Sequence, residues 1–386
     1  MNTQEHTELG KRIAGARPLF EEEDMIAMMS RIEHILRSGR LILGENTQNF
    51  EETFRRYIGT EHAVAVNSCT TALQIVLRFF PVRDREVIVP TNTFVSVIKA
   101  ILYEGGIPIL VDMSPETFCL DTEDVLRRIN FRTAGIIAVH IAGLIYPDTD
   151  QLYEVCQKKG LFLLEDVSHA HGAMIDQRKG GALADAGCFS FYPTKVMTTG
   201  TGGMITTNNA RLAAYARSVR HHGQGESLEQ VINFGNDWCM GELNAVLGIY
   251  QLQRLEANVG RRNQVAAWYK MELAGLDWVK IPQYPEAFRH AYYKFLVLLD
   301  EKISKKKLRH ILLDRFQIEI GSLYDPPCHL QPVLQKHLGC HEGMFPKAER
   351  TLRQQICLPL HAAITRTEVE RVVGALKQII DQCRGE

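Results

Sequence analysis

Lys195 and Asp166 are the two residues of this chain whose types and settings could do chemistry together. Lys195 stands alone in Phe189-Ser-Phe-Tyr-Pro-Thr-Lys195, and a glycine-rich loop and the β-branched run Gly203-Met-Ile-Thr-Thr207 follow it. No acidic residue lies close by in sequence, and a lysine is costly to bury as a cation, so it should be neutralised, paired from elsewhere or used covalently. Taken alone, a lysine at a strand end more often extends its ammonium to water. Asp166 changes the balance, because it closes the apolar run Leu161-Phe-Leu-Leu-Glu-Asp166 just ahead of Ser168, His169 and His171. In a parallel sheet the carboxyl ends of the strands share one crevice, which would bring Asp166 to the edge that Lys195 can reach.

A desolvated lysine and a strand-end carboxylate are what pyridoxal phosphate requires. The amine condenses with the cofactor's aldehyde, and the carboxylate keeps the pyridine nitrogen protonated. The elements that must position the pair read as repeated βα units. Strands are expected at 63–66, 86–89, 107–111, 135–139 and 161–164, with helices at 70–80, 95–103, 122–129 and 150–159 between and after them. That alternation predicts an α/β fold: a three-layer α/β/α large domain around a mostly parallel sheet. Ahead of it, Met25, Met28, Met29, Ile32, Ile35 and Leu36 recur at helical spacing and read as core-facing, up to a stop at Ser38-Gly39. Beyond Lys195 the pattern gives a helix from Gly241 to Ala257, a break near Gly260, a continuation to Leu273, and then the isolated strands and helices of a smaller α+β carboxyl-terminal domain. The expected division is an arm and helix over 1–45, a cofactor-binding domain over 46–258 and a small domain over 259–386.

Several motifs in this order resemble the DegT/DnrJ/EryC1/StrS family, the sugar aminotransferases among fold-type I pyridoxal phosphate enzymes. They are Arg17-Pro-Leu-Phe, Ser38-Gly-Arg-Leu-Ile-Leu-Gly44, Glu165-Asp166-Val-Ser-His169, Phe189-Ser190-Phe-Tyr-Pro-Thr-Lys195 and Leu358-Pro-Leu-His361. The resemblance implies that Lys195 carries the cofactor and Asp166 its ring nitrogen. The turn Val66-Asn-Ser-Cys-Thr70-Thr71 reads either as an ordinary helix cap or as a phosphate cradle, and the family pattern assigns Thr70 and Thr71 to the phosphate. Phe94 reads as core or as a stacking ring, and the same pattern lays it on the pyridine. His169 then falls near the 3-hydroxyl and Ser190 on the phosphate, while Tyr192, Tyr324 and His329 are candidate substrate contacts. The implied reaction moves an amino group, by family analogy from glutamate, to a keto sugar, usually nucleotide-linked, or a cyclitol, in a homodimer whose subunits complete each other's sites.

The chain also departs from the family pattern. Cys69 stands where glycine or alanine is usual, Thr201 replaces an acidic residue, and Leu323 replaces the histidine before the tyrosine. The loop that reaches the neighbouring subunit reads Gly235-Asn236-Asp237-Trp238-Cys239 in place of Gly-Tyr-Asn-Tyr-Arg. Asp237 would face a phosphate of like charge, so a one-residue shift is expected to make Asn236 the amide donor. A cofactor-binding regulator would also account for such loops, whereas a sugar dehydratase relative would carry histidine at the lysine position.

Composition excludes other classes. The 386 residues are 45% hydrophobic and 23% charged, with a net charge of −1, which gives no field for nucleic acid or an anionic membrane. No apolar run approaches the roughly 20 residues that span a bilayer, and the polar amino terminus has no secretory core. Nine cysteines, an odd number without a CxxC pair, fit a reducing, cytoplasmic setting. The cluster of Cys328, His329, His337, Cys340 and His341 lacks zinc-finger spacing, so no metal is expected.

Overall fold

The computed structural model describes residues 11–225, 227, 229–285 and 287–383. Apolar, largely β-branched runs form strands β1 (His62–Val66), β2 (Glu86–Pro90), β3 (Ile107–Val111), β4 (Thr133–Val139) and β5 (Phe162–Asp166), followed by short β6 (Met174–Ile175) and β7 (Arg178–Lys179), then β8 (Ala186–Ser190) and β9 (Gly203–Thr207). Every residue of β2, β4, β5 and β9 is buried, as expected of strands covered on both faces. The seven-stranded sheet runs β1-β9-β8-β5-β4-β2-β3. Its neighbours are parallel except around β9, which is antiparallel to both β1 and β8. The flanking helices are α1 (Glu22–Ser38), α2 (Glu45–Ile58), α3 (Cys69–Phe79), α4 (Val95–Tyr103), α5 (Thr122–Arg128), α6 (Thr149–Lys159) and α7 (Ala210–Val219). This is the expected α/β architecture.

A second core lies around the three-stranded antiparallel sheet β10-β12-β13, formed by β10 (Val279–Lys280), β12 (Phe295–Leu299) and β13 (Gln355–Leu358), while β11 (Phe288–Arg289) pairs with β6. Helices α9 (Lys305–Phe316), α10 (Pro332–Leu338), α11 (Pro346–Gln354) and α12 (Arg366–Ile379) accompany it. Ile13, from the amino-terminal arm, is buried in this core and bridges to Ile318.

One long helix, α8 (Glu242–Glu272), runs without the break expected at Gly260. Gly260 is exposed with open space around it, so it costs only about 1 kcal/mol of helix propensity. On either side the helix is held by packing: Ile249, Leu252, Leu255 and Val259 join the first core, while Val265, Ala266 and Tyr269 join the second. A second difference concerns α1. Met28 and Ile35 are buried, but Met29 and Leu36 are 63% and 61% exposed, so half of the apolar stripe faces outward instead of into this chain's core. No helix among the described residues is long and apolar enough to cross a membrane.

Candidate active site

A cavity of about 540 Å³ opens where β4, β5 and β8 end and α3 begins. Asp166, His169, Ser190 and Lys195 line it, together with Thr70, Phe94, Tyr192 and Tyr324. Eight residues picked from separate stretches of sequence thus share one space.

Asp166 is the last residue of β5 and is 4% exposed; one carboxylate oxygen accepts the Ser168 N–H at 3.0 Å. Lys195 sits on the turn between β8 and β9, where its own N–H donates to the Tyr192 carbonyl at 3.0 Å and the Thr199 N–H reaches the Phe191 carbonyl at 3.0 Å. Burial around the amine lowers the Lys195 pKa to about 8, against the opposing pull of the Asp166 carboxylate and the Cys69 sulfur. A lysine in this state supplies a neutral amine near neutral pH, and the carboxylate beside it can hold a protonated ring nitrogen.

At the start of α3, Ser68 is the N-cap: its hydroxyl accepts the Thr71 N–H at 3.1 Å. The turn closes over Gly203, where an added Cβ would lie 2.5 Å from the Ser68 carbonyl oxygen. Gly203 pairs with Ser190 across β8 and β9, so the absence of a side chain there brings the helix N-terminus and the Ser190 hydroxyl to the same corner. Free donors at a helix start favour a phosphate.

The opposite wall is aromatic. His169 stacks on Tyr293 at 4.3 Å between ring centroids, and its Nε2 lies 3.0 Å from the Tyr324 hydroxyl. Burial, with Lys195 and Lys294 nearby, holds the imidazole well below its ordinary pKa, so it is neutral. Its Nδ1 accepts the Ala142 N–H at 3.3 Å, which leaves the proton on Nε2 to be donated to Tyr324. The phenolic hydrogen of Tyr324 is thereby free for a group in the cavity. Phe94, 58% exposed, lies across from Tyr324 with centroids 6.3 Å apart.

Two sequence-based expectations are placed differently. Thr71 is 5% exposed and does not line the cavity; its hydroxyl donates to Asn67 Oδ1 at 2.7 Å and its N–H to Ser68, so it braces the turn. His329 is fully buried, with Nδ1 at 2.7 Å from the Thr91 hydroxyl and Nε2 at 3.0 Å from Glu349, and has no nitrogen left for a substrate. Asn236, expected to reach the neighbouring subunit, is exposed outside this chain's own cavity, with its side-chain oxygen accepting the Asp237 N–H at 2.9 Å.

Among the lining residues that the sequence reading did not assign to the site are Ser68, Cys69, Tyr293 and Lys294. Ser68 and Cys69 were hidden by the attention that two adjacent threonines draw. The Cys69 thiol accepts from the Ser168 hydroxyl at 3.1 Å, and burial raises its pKa, so it stays protonated. Tyr293 and Lys294 stand just ahead of β12, a strand of the second core's sheet. Two consecutive tyrosines before a lysine at a strand entry were the available signal.

Against known proteins, the model of the DegT/DnrJ/EryC1/StrS aminotransferase family matches residues 23–377. The chain belongs to that family. It is 34% identical to the GDP-perosamine synthase of Caulobacter vibrioides, over 96% of this chain and 98% of that one. It is 33% identical to the dTDP-3-amino-3,4,6-trideoxy-alpha-D-glucose transaminase of Micromonospora megalomicea, over 93% and 96%. A Streptococcus pneumoniae protein solved in its PLP form superimposes with a TM-score of 0.88 at 26% identity, covering 96% of this chain and 99% of that chain. This family member is a sugar aminotransferase, and its cofactor is pyridoxal phosphate. The cavity fits that group: the close approach at Gly203 brings the start of α3 and Ser190 to one corner where a phosphate would meet donors, and the buried Asp166 with the lowered Lys195 amine meets the two chemical demands of the ring.

Proposed function

We propose that the protein moves an amino group from an amino acid, glutamate by analogy, to the ketone of a nucleotide-linked sugar. The observation that carries this reading is Lys195 beside Asp166 in one cavity, with the lysine pKa drawn down to about 8. The names of the two relatives, both concerned with nucleotide-linked amino sugars, support the substrate class.

When bound, pyridoxal phosphate supplies an aldehyde that links to amines and a ring that takes up the electron pair of a broken C–H bond. In this reading Ser190, Thr70 and the first N–H groups of α3 hold the phosphate, with Ser68 shaping that turn. Asp166 holds the ring nitrogen protonated, Phe94 lies on the ring's face, and His169 and Tyr324 set the hydrogen bond at its 3-oxygen side. Lys195 would anchor the cofactor, and its freed Nζ would take the proton from the donor's α-carbon and deliver it to the carbon that was the cofactor's aldehyde. Tyr192, exposed at the mouth, is a substrate contact.

The same proposal includes a homodimer, a cytoplasmic location and the division into an arm, a cofactor-binding domain to residue 258 and a small domain beyond it. Exposed apolar side chains support the dimer: Ile26 and Met29 on α1, and Val231, Ile232 and Phe234 on the loop before Asn236. Across a two-fold axis Asn236 would enter the neighbour's phosphate site. Nine free cysteines support the reducing setting. The test is to load the protein with glutamate, remove it, and screen nucleotide-linked keto sugars. Amino sugar product from at least one is expected, and its absence across dTDP-, GDP- and UDP-linked ketones would remove the acceptor class.

A further inference from the structure

Beside Lys195, the cavity wall carries a second cation, Lys294, which has no counter-ion among the described residues. Lys294 follows Tyr293 at the entry to β12, is half-buried, and lines the cavity. Its ammonium lies 5.0 Å from the centroid of the Tyr293 ring, whose centroid is also 4.8 Å from the Lys195 ammonium. It forms no ion pair with any described residue. The position is fixed by the backbone. The Lys294 N–H donates to the Ala142 carbonyl at 3.1 Å and the Ala291 N–H to the Gly143 carbonyl at 2.8 Å. At Gly143, with φ 108°, an added Cβ would lie 2.7 Å from the Tyr292 nitrogen, so this crossing admits no side chain. The segment that carries Lys294 is therefore tied to the turn that carries the Ala142 N–H to His169.

Among the described residues lining the cavity, Asp166 is the one carboxylate, and the reading above commits it to the pyridine nitrogen. The cofactor takes up Lys195. That leaves Lys294 as the charge an incoming substrate meets, beside the reacting amine and against the same ring. A half-buried ammonium without a partner gains from an anion that enters.

We propose that Lys294 holds a substrate oxyanion, either the donor's carboxylate or a phosphate of the nucleotide-linked acceptor. The two substrates occupy the cavity in turn, so one ammonium with three rotatable donors can serve both. Naming these bearers rests on the aminotransfer reading; the anion site itself does not.

The test is calorimetric titration of the cofactor-loaded protein with glutarate, which has carboxylates but no amine, and separately with dTDP, GDP and UDP. The wild type should bind at least one of these. Lys294→Met should weaken that binding about tenfold, as for loss of one charge-assisted hydrogen bond, and Lys294→Arg should recover most of it. Lys294→Gln serves if the methionine variant fails to fold. Weakening confined to glutarate assigns the donor carboxylate, weakening confined to the nucleotides assigns the acceptor phosphate, and weakening of both assigns a shared site. A wild type that binds none, or a methionine or glutamine variant that binds as the wild type does, overturns the proposal. Failure of the aminotransfer reading shows separately, as no transfer from glutamate by the wild type, and leaves the titrations readable.

Discussion

The Lys195 side chain is half-buried in the cavity wall, and that burial draws its pKa from 10.5 to about 8 even though Asp166 pulls the other way. Depression of a lysine pKa means the fold favours the neutral amine, so the neutral fraction at pH 7 rises on the order of 300-fold over an ordinary lysine. Uptake of pyridoxal phosphate by the cofactor-free protein should therefore accelerate with pH and level off above about pH 8, followed by visible absorbance. Removing the negative charge in Asp166→Asn should move that midpoint lower still; a midpoint that stays put, or rises, would show that the carboxylate does not act on this amine. Gly203 carries the second prediction at this scale. Gly203→Ala puts a methyl group 2.4 Å from the Ser68 carbonyl carbon. The α3 turn must shift, and cofactor affinity should fall roughly tenfold, about 1.4 kcal/mol for one charge-assisted hydrogen bond. Equal affinity by equilibrium dialysis would mean that the corner is not the phosphate cradle.

Between elements, α2 begins without a side-chain cap of its own, because its N-cap is Gly44. The cap comes from α8. Glu242, 1% exposed, accepts the N–H groups of Gly44, Asn46 and Thr47 at 2.9 Å each, and the Asn46 amide at 3.0 Å with the Thr47 hydroxyl besides. Burial alone would raise the Glu242 pKa, but the hydrogen bonds from Thr47 and Asn46 outweigh it and hold the carboxyl below its ordinary value. A depressed carboxyl pKa stabilises the fold fully above the unfolded value of 4.5, and the contribution fades as pH falls through the folded value. Glu242→Ala should cost roughly 2–4 kcal/mol by urea unfolding at pH 7, with less difference from wild type in acid. A loss below about 0.5 kcal/mol would assign the cap elsewhere. Element boundaries of the sheet were legible because each βα unit writes its own apolar run. The continuity of α8 was not, since Gly260 signals a break locally and the two cores that hold the helix straight come from distant sequence.

At the scale of the whole molecule, the residues proposed as catalytic pair and phosphate corner could be singled out from sequence because Asp166 and Ser190 end the adjacent strands β5 and β8, Lys195 follows β8, and Thr70 opens α3. The aromatic and cationic wall could not, because Tyr293 and Lys294 stand at the entry to β12, far along the chain, and two tyrosines before a lysine do not report which cavity they face. His329 misled for a related reason: a histidine beside a cysteine draws attention, while its partner Glu349 lies 20 residues on and consumes the ring nitrogen. The apolar face of α1 and the exposed Phe234 loop lead to a prediction about assembly. Sedimentation should give a dimer, and Asn236→Ala should weaken cofactor binding roughly tenfold while leaving the dimer intact. A cofactor-loaded, active monomer would contradict both. The most direct test of the central claim, that Lys195 moves the proton in amino transfer, is the half-reaction with glutamate and no acceptor. The wild type should release close to one 2-oxoglutarate per bound cofactor, while Lys195→Ala, reloaded with cofactor, should do so at least about 100-fold more slowly, the minimum loss expected when a positioned general base is removed. Equal rates in the two proteins would contradict the account.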